Sequence, residues 1–379
     1  MVGGGEGAFI GAVHRAAARL DDQLELVCGA FSSDAERSRR CGRELKLEAE
    51  RCYTDYAVML EREAERVPDE RMEFVAIVTP NHLHYPVAAR ALQHNFHVLS
   101  DKPATISVDE CRKLRSAVEA SGCLYGLTHP YTAYPMIVEA RRRVASGELG
   151  QIRKVLVEYT QGWLAEPVEH QGNAQASWRT DPAQAGPSGC FGDIGVHAFN
   201  LAEFVTGLKV TSLCAALNRV VPGRTLDDDG TALLRFDNGA HGVLVASQIC
   251  TGDENELRLR LYGEKAGLDW RQLEPNSLWI RPAHQPAALL RTGMDYLDGP
   301  TLERTRLPSG HPEGYIEAFA NQYRMFASQV AAYRDGALSP APEHCVPGID
   351  AAMRGMAFIE ASVAASHSEQ KWHAFPEWV

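Results

Sequence analysis

Three segments hold side chains that could do chemistry. SDKPA (100–104) sets Lys102 directly before a proline. The residue preceding proline is pushed toward extended geometry, so the ammonium sits on a restrained backbone. Spacing alone favours a solvated surface lysine. GCFGDIGVHAFNLAEF (189–204) places Asp193 and His197 four residues apart, on one face if the segment is helical. A neutral imidazole titrating near 6.5 can act as a general base. Taken by themselves these two residues read better as a helix cap and a core histidine. VGGGEGAFIG (2–11) contains G-x-G-x-x-A as Gly3, Gly5 and Ala8, with Glu6 and Phe9 in the same turn. The first glycine permits a tight turn and the second lets backbone approach a pyrophosphate. The third small residue allows close packing, and the helix that follows offers free N–H groups to phosphate.

Positioning these groups requires a layered fold. Apolar runs at 24–30, 74–78, 96–99 and 124–127 alternate with helical patterns at 8–19, 55–66, 84–93 and 108–120. Strand–helix alternation predicts a parallel sheet covered on both faces, and EFVAIV (73–78) is apolar on both faces as such a strand must be. The strand that should precede Gly3 has only Met1 and Val2. Either the natural chain starts earlier or two residues suffice. Thr79, Pro80, Asn81 and His84 follow the 74–78 strand, at the carboxyl edge where open α/β sheets bind ligands; Asp101 and Lys102 end the next one. At the exit of the second strand, GAFSSDAER (29–37) offers Phe31, Ser32, Ser33 and Arg37, with Asp34 as a helix cap. No carboxylate stands at that tip to repel a 2′-phosphate, so NADP is permitted and leaned toward, with NAD open.

After about residue 127 the period changes. A helix near 136–146 precedes alternating runs at 154–163, 210–220, 231–248 and 257–263, with Asp237-Asn238-Gly239 as a hairpin turn. This predicts an α+β domain on an open, mainly antiparallel sheet, spanning 128–379 after a nucleotide domain of 1–127. Helices are expected near 315–334 and 350–366, the last packing back on the first domain, with 337–348 as loop. The open sheet face predicts a homodimer or homotetramer. THPYTAYP (128–135) offers His129, Tyr131 and Tyr134 to a polar ligand, packing being equally open for the tyrosines. QGW (161–163), Trp178 and Arg179 are further candidates, with Trp178 divided between pocket and core.

A formal net charge of −11 excludes the concentrated positive charge that nucleic-acid binding needs. No apolar run approaches the roughly 20 residues of a membrane span, and no signal peptide is visible. Nine cysteines lie scattered without C-x-x-C, which fits reduced thiols, a cytoplasmic protein and no metal site. Asp227-Asp228-Asp229 lacks a calcium-loop pattern and reads as the solvated opening of a strand.

Together the segments resemble the Gfo/Idh/MocA family (glucose–fructose oxidoreductase, inositol dehydrogenase, rhizopine catabolism). The matching stretches are VGGGEGAFIG (2–11), TPNHLH (79–84), HVLSDKPA (97–104), GELGQI (147–152), WRTDPAQAGPSGCFGDIGVHAFNLAEFVTG (178–207) and GMAFIEASVAAS (355–366), in family order over nearly the whole chain. The family usually has glutamate where this chain has Asp101. The resemblance implies a Rossmann domain and hydride transfer between a nicotinamide and a hydroxyl-bearing carbon of a sugar, cyclitol or related polyol. It also implies that Lys102 stabilises the reacting oxygen, His197 takes its proton and Asp193 binds a neighbouring hydroxyl or orients the site. An enzyme that cycles tightly held NADP is the close alternative. A non-catalytic Rossmann regulator is the distant one.

Overall fold

Val2 and Gly3 form β1, a strand of two residues that nevertheless lies mid-sheet, pairing in parallel with Ala30 on one side and with Ile77 and Val78 on the other. The computed structural model describes residues 1–337 and 344–376. It divides into two units, 1–129 with 319–353, and 130–318 with 354–376 of the described chain.

In the first unit β1 is followed by α1 (Phe9–Arg19), β2 (Gly29–Ala30), α2 (Ala35–Glu44), β3 (Cys52–Tyr53), α3 (Tyr56–Ala64), β4 (Phe74–Val78), α4 (His84–Gln93), β5 (His97–Ser100), α5 (Val108–Ser121) and β6 (Tyr125–Leu127). The six strands lie in the order β3-β2-β1-β4-β5-β6, all parallel. Val75, Ile77, Val98 and Leu99 are fully buried, as strands covered on both faces require. The expected strand at 24–30 pairs only at Gly29–Ala30, because its neighbours β1 and β3 are each two residues long. β3 was not among the elements expected from the sequence, and α2 was expected only as the helix that Asp34 starts. Asp34 caps α2 as expected, accepting from the Arg37 N–H at 2.7 Å.

The second unit carries α6 (Pro135–Ala145), β7 (Ile152–Thr160), α7 (Ala174–Arg179), α8 (Pro182–Ala185), α9 (Val196–Thr206), β8 (Val210–Asn218), β9 (Asp229–Phe236), β10 (His241–Ser247), β11 (Glu256–Gly263), β12 (Ala266–Arg271), β13 (Ser277–Pro282), β14 (Ala288–Arg291) and α10 (Gly299–Glu303). Two long helices follow in the chain, α11 (Tyr315–Arg334), most of which belongs to the first unit, and α12 (Ile349–Ser366), most of which belongs to the second, then β15 (His373–Ala374). The expected loop at 337–348 lies partly outside the described residues. The sheet order is β14-β13-β12-β11-β7-β10-β9-β8-β15, antiparallel among the described pairs except for β7 with β10. Asp237-Asn238-Gly239 does make the β9–β10 turn, with Gly239 at φ +85°. Inward residues Val155, Val157, Leu244, Leu259 and Leu261 are buried on the face that α9 covers, while α6 packs on β12 and β13.

The acidic run at 227–229 corrects one expectation. Asp227 and Asp228 are buried, not solvated. Asp227 accepts from the N–H groups of Gly189 and Phe191, both at 2.9 Å, and so caps the turn that leads into α9. Asp228 accepts from Val220 and Val221 and pairs with Arg224 at 3.2 Å. A loop whose backbone donors are buried needs such acceptors, and these carboxylates supply them.

Candidate functional site

In the nucleotide unit the glycine turn is shaped by close contacts. Gly3 sits at φ +82°, and a Cβ there would lie 2.8 Å from the Val78 carbonyl oxygen. A Cβ on Gly5 would lie 2.6 Å from the Phe31 oxygen, which already accepts the Gly5 N–H. The close helix-to-turn approach falls at Gly11, whose Cβ would meet Gly4 Cα at 2.3 Å, and not at Ala8. Ala8 precedes α1 and spends its N–H on the Gly5 carbonyl at 3.0 Å. Among the described residues no side chain caps α1, so its first N–H groups and its dipole suit an anion. Gly7 borders open space and Phe9 is exposed. A dinucleotide pyrophosphate fits this cradle. Ser32 is half-buried, while Ser33 and Arg37 are exposed at the β2 exit. Glu6 pairs with Arg40 of α2, a partner that sequence spacing did not reveal.

The β4 and β5 exits are tied together. Both His84 ring nitrogens face backbone carbonyls, Pro103 at 2.6 Å and Thr79 at 2.9 Å, so this residue, expected at the cofactor, serves as a brace. Burial pushes its pKa down against those carbonyls. Thr79 and Pro80 are half-buried and Asn81 is buried. Asp101 accepts from the Lys102 N–H at 2.8 Å and the Thr128 hydroxyl at 2.9 Å. Lys102 itself is half-buried, unlike a fully solvated surface lysine. His129 is buried, with its pKa pulled to about 3 by burial and by the Lys102 charge, while its carbonyl accepts from Gln322 at 2.6 Å.

In the second unit Asp193 lies within a one-turn π-helical segment, Phe191–Gly195, that runs into α9. Such bulges recur at functional sites. Asp193 is not the cap that its position suggested. Its Oδ2 accepts from Arg179 Nε at 3.1 Å and from Gln248 Nε2 at 2.9 Å. Arg179 also donates to the Gln175 carbonyl and side chain, and its guanidinium lies 4.1 Å from the Trp178 ring centroid. Trp178 is half-buried, so it is a stacking platform and not core.

His197 is buried, with the Tyr131 ring edge-on at 5.0 Å. The Tyr131 hydroxyl meets that of Tyr159 at 2.5 Å, and Tyr159 donates to Asn255 Oδ1 at 2.7 Å. Gln161 donates to the same oxygen at 2.7 Å and receives the Trp163 N–H at 3.0 Å. Burial raises the pKa of both tyrosines, which stay protonated. Tyr134 packs on Trp270 instead. Sequence reasoning missed Tyr159, Gln248 and Asn255. Their only signal was position at the ends of β7 and β10 and the start of β11. Asp193, His197, Arg179 and this row of amides and phenols make a largely buried cluster of hydrogen-bonding groups.

Among the described residues no group of three or more potential ligands could hold a metal ion, and no helix is long and apolar enough to cross a membrane. All nine cysteines are free thiols.

Residues 1–129 match the oxidoreductase family with NAD-binding Rossmann fold, and 137–269 match the GFO/IDH/MocA C-terminal domain. The Bacillus subtilis (strain 168) oxidoreductase YfiI is 33% identical over 378 residues, 99% of this chain and 96% of the relative. A solved oxidoreductase from Sinorhizobium meliloti is 44% identical with a TM-score of 0.87, covering 98% of each chain. An inositol dehydrogenase homologue from Azotobacter vinelandii, solved with NAD+, is 36% identical with a TM-score of 0.94, covering 99% of this chain and 96% of the other. Two family models over most of the chain, matching folds and full-length similarity leave one conclusion: the chain belongs to the Gfo/Idh/MocA family of NAD-binding oxidoreductases.

Proposed function

We propose that the protein oxidises a hydroxyl-bearing carbon of a sugar, cyclitol or related polyol, or reduces the matching ketone, with NAD or NADP. The observation that carries the reading is the second unit's polar cluster. There a buried imidazole and an Arg179-held carboxylate adjoin phenols and amides that can each give and accept hydrogen bonds. Such groups can trade these mutual hydrogen bonds for bonds to neighbouring hydroxyls. The A. vinelandii relative has also been solved with NADH and myo-inositol, which supports this substrate class.

The nicotinamide supplies the hydride acceptor. His197, as neutral imidazole, takes the hydroxyl proton. Lys102 donates a hydrogen bond to the same oxygen and stabilises the charge that develops there. Asp193, fixed by Arg179 and Gln248, receives an adjacent hydroxyl. For the cofactor, Ser32, Ser33 and Arg37 lean toward NADP, since the carboxylate that follows the two serines, Asp34, is spent on capping α2.

The test is a screen of NAD+ and NADP+ against sugars and cyclitols, followed by absorbance of the reduced nicotinamide. Lys102→Ala and His197→Ala are expected to abolish turnover and keep cofactor affinity. Unchanged rates in both would overturn the mechanism. Protein that purifies with a nicotinamide chromophore would instead favour the cycling enzyme. Binding of cofactor and polyol with no turnover would favour the regulator.

A second reading concerns assembly. Leu233, Val243 and Leu156 stand in register across β9, β10 and β7 on the sheet face opposite the buried one. Leu233 and Trp279 are exposed at 40% and 37%. A second copy of the chain would cover this apolar row, which supports a homodimer or homotetramer.

A further inference from the structure

The nucleotide unit buries a histidine that the mechanism does not use. His14, on α1, has no solvent exposure. Its Nδ1 lies 2.8 Å from the hydroxyl of Tyr323 on α11, and its ring packs 4.8 Å from Phe319. Its Nε2 faces Asp101 Oδ2 at 3.9 Å and has no hydrogen-bond partner among the described residues.

We propose that Tyr323 and His14 form a positioning pair that holds the Asp101 carboxylate and, through it, the segment bearing Lys102. The inference rests on the role given to Lys102 above.

The proton positions follow from burial. The Tyr323 phenol is pushed up and stays protonated, and His14 is pulled to about 4 and stays neutral. A neutral imidazole has one N–H. With the phenol proton directed at Nδ1, that N–H is on Nε2 and points at Asp101 Oδ2. The other tautomer would aim a lone pair at a carboxylate. The imidazole dipole thus favours the carboxylate orientation in which Oδ1 receives the Lys102 N–H and the Thr128 hydroxyl. The Asp101 N–H is bonded to the Ile77 carbonyl at 2.9 Å, so the side chain is the part of this corner that needs holding. Arg15 beside His14, and His84 and His129 beside Lys102, are the other titratable groups here. Both of those histidines are driven toward neutrality by burial. A residue serving only to fill space would need neither the phenol partner nor an N–H aimed at a carboxylate.

The experiment compares His14→Phe, His14→Gln and Tyr323→Phe with Lys102→Met, on the full chain and with the polyol found by the screen. It reads kcat, KM, cofactor Kd by nicotinamide fluorescence, and Tm. His14→Phe keeps an aromatic ring and loses the N–H, so kcat is expected to fall about 10-fold with cofactor Kd within about twofold. His14→Gln can turn an amide N–H to Asp101 and should recover to within about threefold of wild type. Tyr323→Phe should fall between them. Wild-type kcat in His14→Phe, or His14→Gln as impaired as His14→Phe, overturns the proposal in favour of plain packing. If His14→Phe does not fold, Tyr323→Phe decides, and wild-type kcat there overturns it. Lys102→Met that keeps turnover overturns the functional reading as well. Lys102→Met without turnover beside fully active His14 and Tyr323 variants overturns the positioning pair alone.

Discussion

Arg179 donates from Nε to Oδ2 of Asp193 at 3.1 Å, and Gln248 donates from Nε2 to the same oxygen at 2.9 Å. The carboxylate is therefore held in one orientation by two donors, 14 residues before it and 55 after it in the chain.

Arg179→Ala should free that carboxylate. A hydrogen bond to a charged group is worth about 1.5–3 kcal/mol, so kcat/KM is expected to fall roughly 10- to 100-fold. Tm should change little, since the pair is partly solvated. Steady-state kinetics beside a melting curve check this; a large Tm loss with intact kcat/KM would contradict it.

Glu63 is fully buried in the nucleotide unit and accepts from Arg51 at 3.0 and 2.6 Å and from the Tyr53 hydroxyl at 2.9 Å. Removing one partner strands the other charge. Glu63→Ala should cost about 3–5 kcal/mol, read by urea unfolding.

Acid should destabilise the fold through two histidines. His14 is held at about 4 and His129 at about 3, both below the ordinary 6.5. Each binds its proton more weakly folded than unfolded. Stability is therefore full above pH 6.5 and falls as pH drops, until about 4 for His14 and about 3 for His129. His14 alone accounts for about 3 kcal/mol over that window. Melting temperatures across pH 7 to 4 should fall less steeply in His14→Gln than in wild type.

Leu233→Glu places a charge at the β9 end of the outward apolar row. If a second copy covers that face, light scattering at micromolar concentration should show a smaller species than wild type. A wild-type monomer would remove the assembly reading.

Much of this was legible in the sequence because it is local. The glycine turn, the apolar strand 74–78, the hairpin at 237–239 and the four-residue spacing of Asp193 and His197 each follow from neighbours in the chain and from the periods of helix and strand. The two-residue strands β1 and β3 gave no period to detect. The length of β2 depended on those partners, not on its own residues.

What only tertiary structure decided are the pairings of polar groups that burial forces upon distant residues. Asp227 caps a turn nearly forty residues earlier, Gln248 steadies Asp193, and His14 meets a tyrosine 309 positions away. The sequence determined which groups could accept or donate a proton. Which donor meets which acceptor was set by the fold, because a polar atom shut away from water must take whatever partner packing brings to it.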